Sequence, residues 1–461
     1  MTHTADLTVG SIPGHFRRMA IPTAIGMVFT TLYNVVDSYF AGIISTDALA
    51  ALAVSFHVFF ILVTFGFGVN SAMGALVGNA LGAGRRRYAR TIACQGISYA
   101  VVASILLTVV GYAVSPFLIS AVSEPGSFRD LANAYIDVLL LAAPAFIVVF
   151  SINGILGAQG DAVSMQRAQI AAFFANIALN PIMIFGIPGV FPALGFNGIA
   201  LSTATSQSGV LAYMLWRLYR SELMARQRLV LYRPRLRQFR EITVLALPAS
   251  SAMIVMLVGA FVVQLYLKQF GPQAIAAYGV GLRIEQMLLL PAFGLTITLL
   301  PIAAQNFGAH EYERVQEAFI FCCKAGTLLM LLASLLLWVA SKPAMSLFTD
   351  DPEVIRIGRN YLNVDGFMLP IYILLFAMNS LLQALKRPMF TLWIGIFRQG
   401  FGIAFFCAIF VLVFDWGTWG VWLGVAASVA TGLLLAFWFT LRVARKEIGG
   451  IFRQSRENPN D

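Results

Sequence analysis

Long runs of apolar residues follow one another along almost the whole chain, from Met19 to Leu441, interrupted by short polar breaks. A helix that crosses a bilayer needs about 20 mostly apolar residues. The breaks divide the chain into twelve segments of that kind: 19–42, 50–78, 92–122, 131–156, 165–188, 195–219, 241–267, 274–305, 315–341, 358–383, 388–413 and 417–441. Each predicts one membrane helix, because a single segment in lipid must pair its own backbone groups. The predicted fold class is an all-α integral membrane protein with twelve transmembrane helices.

The pattern also repeats. Pro22 matches Pro248 at an offset of 226 residues, and Ala48, Ala50 and Ala51 match Ala274, Ala276 and Ala277. Gly68 with Gly294, Gly82 with Gly308, Tyr135 with Tyr361, Pro144 with Pro370 and Asn153 with Asn379 keep the same offset. Gly198 pairs with Gly420 at 222, so the loop from Ile187 to Asn197 is longer in the first copy. A repeat of six spans enters the membrane in the same direction both times, which makes it a parallel repeat, a transporter architecture with substrate bound between the halves. The expected organisation is two pseudo-symmetric six-helix bundles, 1–220 and 241–445, joined by a basic linker, 221–240, and followed by a tail, 446–461.

Composition supports the membrane reading, with 59% hydrophobic and 11% charged residues against roughly 25% charged in soluble domains. The net charge of +10 raises the question of nucleic acid, which basic patches attract. Its placement points elsewhere. Arg17 and Arg18, then Arg85, Arg86, Arg87 and Arg90, then the arginines from Arg217 to Arg240, then Lys386 and Arg387, then Arg442, Arg445 and Lys446 fall in alternate loops, as the positive-inside rule requires. Both termini are therefore expected in the cytoplasm, the protein in a bacterial inner membrane, and nucleic acid is not an expected partner. No short apolar segment with a cleavage site precedes Met19, so the first helix is expected to stay. Cys94, Cys322, Cys323 and Cys407 lack disulfide or zinc spacing. HExxH and GxSxG patterns are missing too, which argues against an enzyme, and no cofactor or fixed metal site is expected.

Ionisable side chains inside a bilayer are expensive and mark function. Asp37 leads, in Tyr33-Asn34-Val35-Val36-Asp37, about 27 Å along the first predicted helix. Asn34 and Tyr33 precede it by three and four residues, on one helix face, and can donate to its carboxylate. Such a group can exchange a proton or hold a transient sodium ion. Asn176 and Asn180 share a face of the fifth helix, and Thr203 on the sixth could join them. Oxygen donors of these types suit hard cations, although interhelical hydrogen bonding explains them equally. The second half holds Gln264, Arg283, Glu285, Tyr361, Asp365 and Arg398. Asp365 could be a second coupling or substrate acid, while Arg283 and Glu285, two apart, either pair across helices or reach a cavity. Pro22 and Pro248, about one turn inside their predicted helices, are candidate kinks and hinges. Gly74, Gly78 and Gly82 read as close helix packing, and His57 has no partner at metal spacing.

Taken together, Asn34-Val35-Val36-Asp37-Ser38 with Gly42, Asp47-Ala48-Leu49-Ala50-Ala51, Gly78-Asn79-Ala80-Leu81-Gly82-Ala83-Gly84 and Asn180-Pro181-Ile182-Met183-Ile184-Phe185-Gly186 resemble the multidrug and toxic compound extrusion (MATE) family, along nearly the whole chain. Ala276-Ala277-Tyr278-Gly279 and Gln305-Asn306-Phe307-Gly308-Ala309 add the second-half counterparts. The resemblance implies export of amphipathic, often cationic, drug-like small molecules in exchange for protons or sodium ions by alternating access, in a protein that works as a monomer in the lipid bilayer. It implies that Asp37 is the family's first-helix acid, that Pro22 is where this helix bends, and that Tyr33, Tyr135, Asn153, Asn176 and Thr203 line the cavity of the first half. Asn180 stands where the DinF-like branch often has a second aspartate. Tyr361 and Asp365 resemble a tenth-helix pair of the NorM-like branch, whose seventh-helix glutamate is replaced here by Met256. These departures leave the coupling ion open between proton and sodium. The rival reading is a flippase for a lipid-linked oligosaccharide from the same superfamily, which would need a cavity rich in cations. The Asp-Arg signature of a major-facilitator transporter is missing after the second helix.

Overall fold

The computed structural model describes residues 6–122, 126–225 and 227–451; the side chain of His57 and the tail after Ile451 lie outside the described residues. Among them the chain forms twelve long helical segments. These are α1 (Ile12–Ile44), α2 (Thr46–Gly82), α3 (Arg86–Val122), α4 (Ser127–Gly157), α5 (Val163–Phe185) and α6 (Asn197–Tyr219). They continue with α7 (Leu236–Leu267), α8 (Pro272–Gly308), α9 (Tyr312–Ser346), α10 (Pro352–Ala384), α11 (Pro388–Val413) and α12 (Gly417–Ile448). Eleven of the twelve are long and apolar enough to cross a membrane. The exception is α6, whose 23 residues would span about 35 Å. Its Ser202, Thr203, Thr205, Ser206, Gln207 and Ser208 make it the most polar of the set.

The helices overrun the apolar segments that announce them. Helix α1 starts at Ile12, so Pro22 lies ten residues inside it, not one turn, and Pro248 lies twelve residues inside α7. Bilayer thickness ends an apolar pattern without ending a helix, and α12 likewise runs on through Arg442, Arg445 and Lys446 to Ile448. Both α1 and α7 stay helical on either side of their prolines. Helix α11 widens into π-helical turns at Ile396–Gly402 and Ala408–Val413.

Contacts group the chain into two units, Ile25–Ser250 and Leu7–Ala24 with 251–451. In the first, α2 packs on α3 and α4, α4 on α3 and α6, and α5 on α6. Gly68 of α2 lets the start of α7 come close: a Cβ there would lie 2.4 Å from the Ala246 carbonyl oxygen. The connection after α6 is tied to α3. Gln95 donates to the carbonyls of Leu231 (2.6 Å) and Arg233 (2.8 Å) and accepts from the amide of Arg235 (2.9 Å), while Ser98 donates to the Tyr232 carbonyl at 2.7 Å.

The second unit repeats this plan. Helix α8 packs on α9 and α10, and α10 on α9 and α12. Gly294, the repeat partner of Gly68, admits the start of α1, with a Cβ 2.8 Å from the Ala20 carbonyl oxygen. The segment before α1 is tied down as the one before α7 is. Leu7 is buried, its amide donates to Gln305 Oε1 at 2.9 Å, and its carbonyl accepts from Asn306 Nδ2 at 3.1 Å.

Candidate functional site

Three helices of the first unit meet through stripes of residues spaced three or four apart. On α1 the buried positions include Tyr33, Asp37 and Ala41; on α5 they include Ala168, Ala172, Asn176 and Asn180; on α6 they include Ser202, Thr203 and Ser206. Spaced by four, the α5 positions share one face of that helix, and the amides of Asn176 and Asn180 reach Asp37 from it. Asn176 Nδ2 and Asn180 Nδ2 both donate to Asp37 Oδ1, at 3.1 and 3.0 Å, and Thr203 Oγ1 donates to Oδ2 at 3.1 Å. The second proton of each amide is also placed, Asn176 to Ser202 Oγ and Asn180 to Asn176 Oδ1, both at 3.1 Å. Tyr33 donates to Thr203 at 3.2 Å, so it reaches the acid through that hydroxyl.

The acid is 5% exposed, and Asn176 and Asn180 are at 0%. One turn before it, Tyr33 belongs to an apolar cluster with Val69, Met73, Ile152 and Met214; one turn after it, Ala41 belongs to another with Ile136, Leu139 and Ile199. Water is held back on both sides. A buried charge is costly unless paired, yet the partners of Asp37 here are neutral donors. Hydrogen bonds to a charged acceptor are worth about 1.5–3 kcal/mol each, enough to hold the carboxylate in place while leaving it ready for a small cation. Beside it, Asn180 Oδ1 is buried without a partner. Turning the two amides would set oxygen atoms beside the carboxylate, a donor set of the kind that suits a hard cation.

The other sequence-derived positions distribute unevenly. Asn34 is exposed and donates to the Thr30 carbonyl at 3.2 Å, not to Asp37. Tyr135 is buried against Phe196, with ring centroids 5.2 Å apart. Asn153 pairs with Asn70 of α2 at 3.0 Å, a separate link between α2 and α4. Pro22 belongs to the second unit and Pro248 to the first, and Gln264 is exposed on α7. Ser202 and Ser206 were not singled out in the sequence, although Ser206 closes the α6 side by bonding the Ser202 carbonyl at 2.7 Å. Their signal was the unusual polarity of α6.

The second unit has its own buried polar cluster. Tyr361 of α10 donates to Glu285 Oε2 of α8, and Asp365, one turn on, keeps Oδ2 without a partner. The Tyr361 ring rests on Gly281, where a Cβ would meet it at 2.4 Å, and contacts Tyr278 (5.5 Å) and Trp422 (5.0 Å). Arg398, carried by the first π-helical stretch of α11, lies over Tyr372 at 6.0 Å. Such turns recur at functional sites. Arg283 is exposed, so the acid of that pair binds across helices while the base turns outward.

The MatE family model matches residues 22–182 and 248–407, beginning in each half on the repeated proline. A probable multidrug resistance protein NorM of Thermotoga maritima is 25% identical over 89% of this chain and 88% of its own length. An FAD transporter of Shewanella oneidensis is 26% identical over 82% of this chain and 84% of its own. Among solved structures, a MOP superfamily transporter from Pyrococcus furiosus has the same fold, with a TM-score of 0.88 over 96% of this chain and 99% of its own at 21% identity. With both halves covered by the family model and twelve helices of this arrangement, the chain is a multi-pass membrane protein of the MatE family.

Proposed function

We propose that this chain is a secondary active efflux transporter that exports amphipathic, cationic organic compounds in antiport with protons or sodium ions, and that Asp37 is its coupling group. The observation that carries the reading is a membrane-buried carboxylate held by three neutral donors. Adding a proton turns one acceptor oxygen into a donor. Thr203 or an amide must then give way, and the bonds joining α1 to α5 and α6 rearrange. Sodium would be held by Asp37, Asn176, Asn180 and Thr203. Either ion can drive a conformational change only through unequal affinity for the two states. Because the relatives differ in cargo, cargo is argued from charge: an unpaired acid in the first unit favours cations. The flippase alternative needs a cation-rich pocket for pyrophosphate, whereas the half-buried Arg398 shares its cluster with two acids. The alternating arginine clusters support cytoplasmic termini and an inner-membrane location.

The test is efflux of a cationic dye and of a flavin nucleotide from proteoliposomes under an imposed pH gradient or an imposed sodium gradient, run separately. Wild-type protein should move the dye down one of the two gradients, and Asp37→Asn should lose that response. Undiminished gradient-driven efflux in Asp37→Asn removes the acid from the coupling step.

A further inference from the structure

The connection between α6 and α7 has a surface that ion coupling does not use. Its inner side is fixed: Leu223 and Met224 are buried, Arg90 Nε donates to the Leu223 carbonyl at 2.6 Å, and Gln95 and Ser98 hold the carbonyls of 231–233. Tyr232 reaches Gln227 Oε1 at 2.5 Å and the Tyr219 hydroxyl at 3.3 Å. The described residues 227–235 form a strap fastened to α3, with a short 3₁₀ turn at Leu229–Tyr232. Its outer side carries Arg228, Arg233, Arg235, Arg237 and Arg240, all exposed, together with Leu229 at 88% and Leu236 at 87% exposure. Arg85, Arg86 and Arg87, at the start of α3 in the same unit, are exposed as well. Against these stand Glu222, 4.0 Å from Arg86, and Glu241, 3.5 Å from Arg237.

Two features fix the level of the strap. Gln95 and Ser98, its anchors, lie in the first turns of the apolar segment of α3, which opens at Ile92. Trp216 and Tyr219 at the end of α6 are exposed, with Arg220 over the Trp216 ring at 4.5 Å, as in the aromatic belts that mark the membrane–water boundary. Backbone groups facing lipid must be paired internally, and Gln95 alone pairs three of them. Bare leucines among arginines at this depth have the composition of a segment that lies in the interface, apolar side chains among the acyl chains and cations among the headgroups.

We propose that the strap is a docking surface for anionic phospholipid, with headgroup phosphates held by Arg228, Arg233, Arg235 and Arg237 and acyl chains met by Leu229 and Leu236. Arginine matches phosphate through paired N–H donors, and each basic residue near an anionic leaflet contributes about fivefold in affinity.

The full-length protein in detergent is titrated with fluorescent phosphatidylglycerol and phosphatidylcholine at low and physiological salt. Wild type should bind phosphatidylglycerol at least tenfold more tightly, with the preference shrinking as salt rises. Replacing Arg228, Arg233, Arg235 and Arg237 together by Gln should cost phosphatidylglycerol at least tenfold and leave phosphatidylcholine unchanged. The matching four-Lys variant should keep most of the preference, and Leu229→Gln with Leu236→Gln should weaken both lipids. Arg442→Gln with Arg445→Gln, on α12, should change nothing. The proposal is overturned if the four-Gln variant binds phosphatidylglycerol like wild type. It is equally overturned if millimolar inorganic phosphate displaces the lipid completely, or if a short RNA, and not lipid, shows the arginine dependence.

Discussion

Replacing Asp37 by asparagine and by alanine separates the structural role of this side chain from its charge. Asparagine is nearly isosteric. Its carbonyl oxygen can keep both amide donors now on Oδ1, and its NH2 group can donate to Thr203, whose hydroxyl already accepts from Tyr33. Alanine removes the acceptor for three donors at once. Asn176 and Asn180 keep one bond each, to Ser202 and to Asn176, but one N–H on each amide and the Thr203 hydroxyl are left in a site that water does not reach. At about 1–3 kcal/mol for each buried group deprived of its partner, Asp37→Ala should lose roughly 3 kcal/mol or more, whereas Asp37→Asn should stay within about 1 kcal/mol of wild type. Thermal unfolding of purified protein in detergent, followed by intrinsic tryptophan fluorescence, reads this directly. Both variants should lose gradient-driven efflux, but only alanine should lower the transition temperature. If alanine proves as stable as wild type, the three donors do not converge on Asp37 and the ion site has been misassigned.

Three further outcomes follow from the packing. Gly294→Ala places a methyl group 2.8 Å from the Ala20 carbonyl oxygen and 3.0 Å from the Ala24 Cβ; it should destabilise by about 1–3 kcal/mol as overpacking does, visible as a lower unfolding temperature. Gln95→Ala frees three backbone groups of the strap; at about 1 kcal/mol per bond, trypsin should cut after Arg228 or Arg235 at least tenfold faster, as gel densitometry over time will show. Val263→Asp puts an acid at the repeat position of Asp37, a site 1% exposed whose neighbouring repeat positions hold Gly402 and Phe406 in place of the two asparagines. Burying that carboxylate without partners should cost several kcal/mol, and gel filtration should show lost folded protein.

The number and order of helices were legible because each apolar segment carries its own signal in lipid, where backbone pairing must be local. The carboxylate and the two asparagines were legible for a related reason: polar residues four apart in an apolar helix must share a face. Asn34 misled because three residues and four residues are both neighbours on a helix but lie on opposite sides of the reference residue. From Asp37, Tyr33 turns by about 40° one way and Asn34 by about 60° the other, and α5 and α6 stand on the tyrosine side. Asn153 could not be paired with Asn70 from sequence, since their 83-residue separation gives no periodic hint. Arg398 was visible as a charge in a membrane helix, but the π-helical turns around it change the residue-to-angle rule, so its direction could not be counted off. The overrun of α1 ahead of Pro22 escaped for a simpler reason: His15, Arg17 and Arg18 are as compatible with a helix in water as with a loop.

The repeat copies the scaffold and not the chemistry. Gly68 and Gly294 admit the starts of α7 and α1 at matching carbonyls, Ala246 and Ala20, and both contacts keep the 226-residue offset. The polar groups do not keep it. Asp37 corresponds to Val263, Asn176 to Gly402 and Asn180 to Phe406, while Glu285 corresponds to Phe59 and Asp365 to Leu139. Each unit thus buries acids at positions where the other is apolar, and each stabilises them differently: by amides and a threonine in the first, by a tyrosine hydroxyl near an arginine in the second. The duplicated fold thus carries different buried polar groups in its two halves.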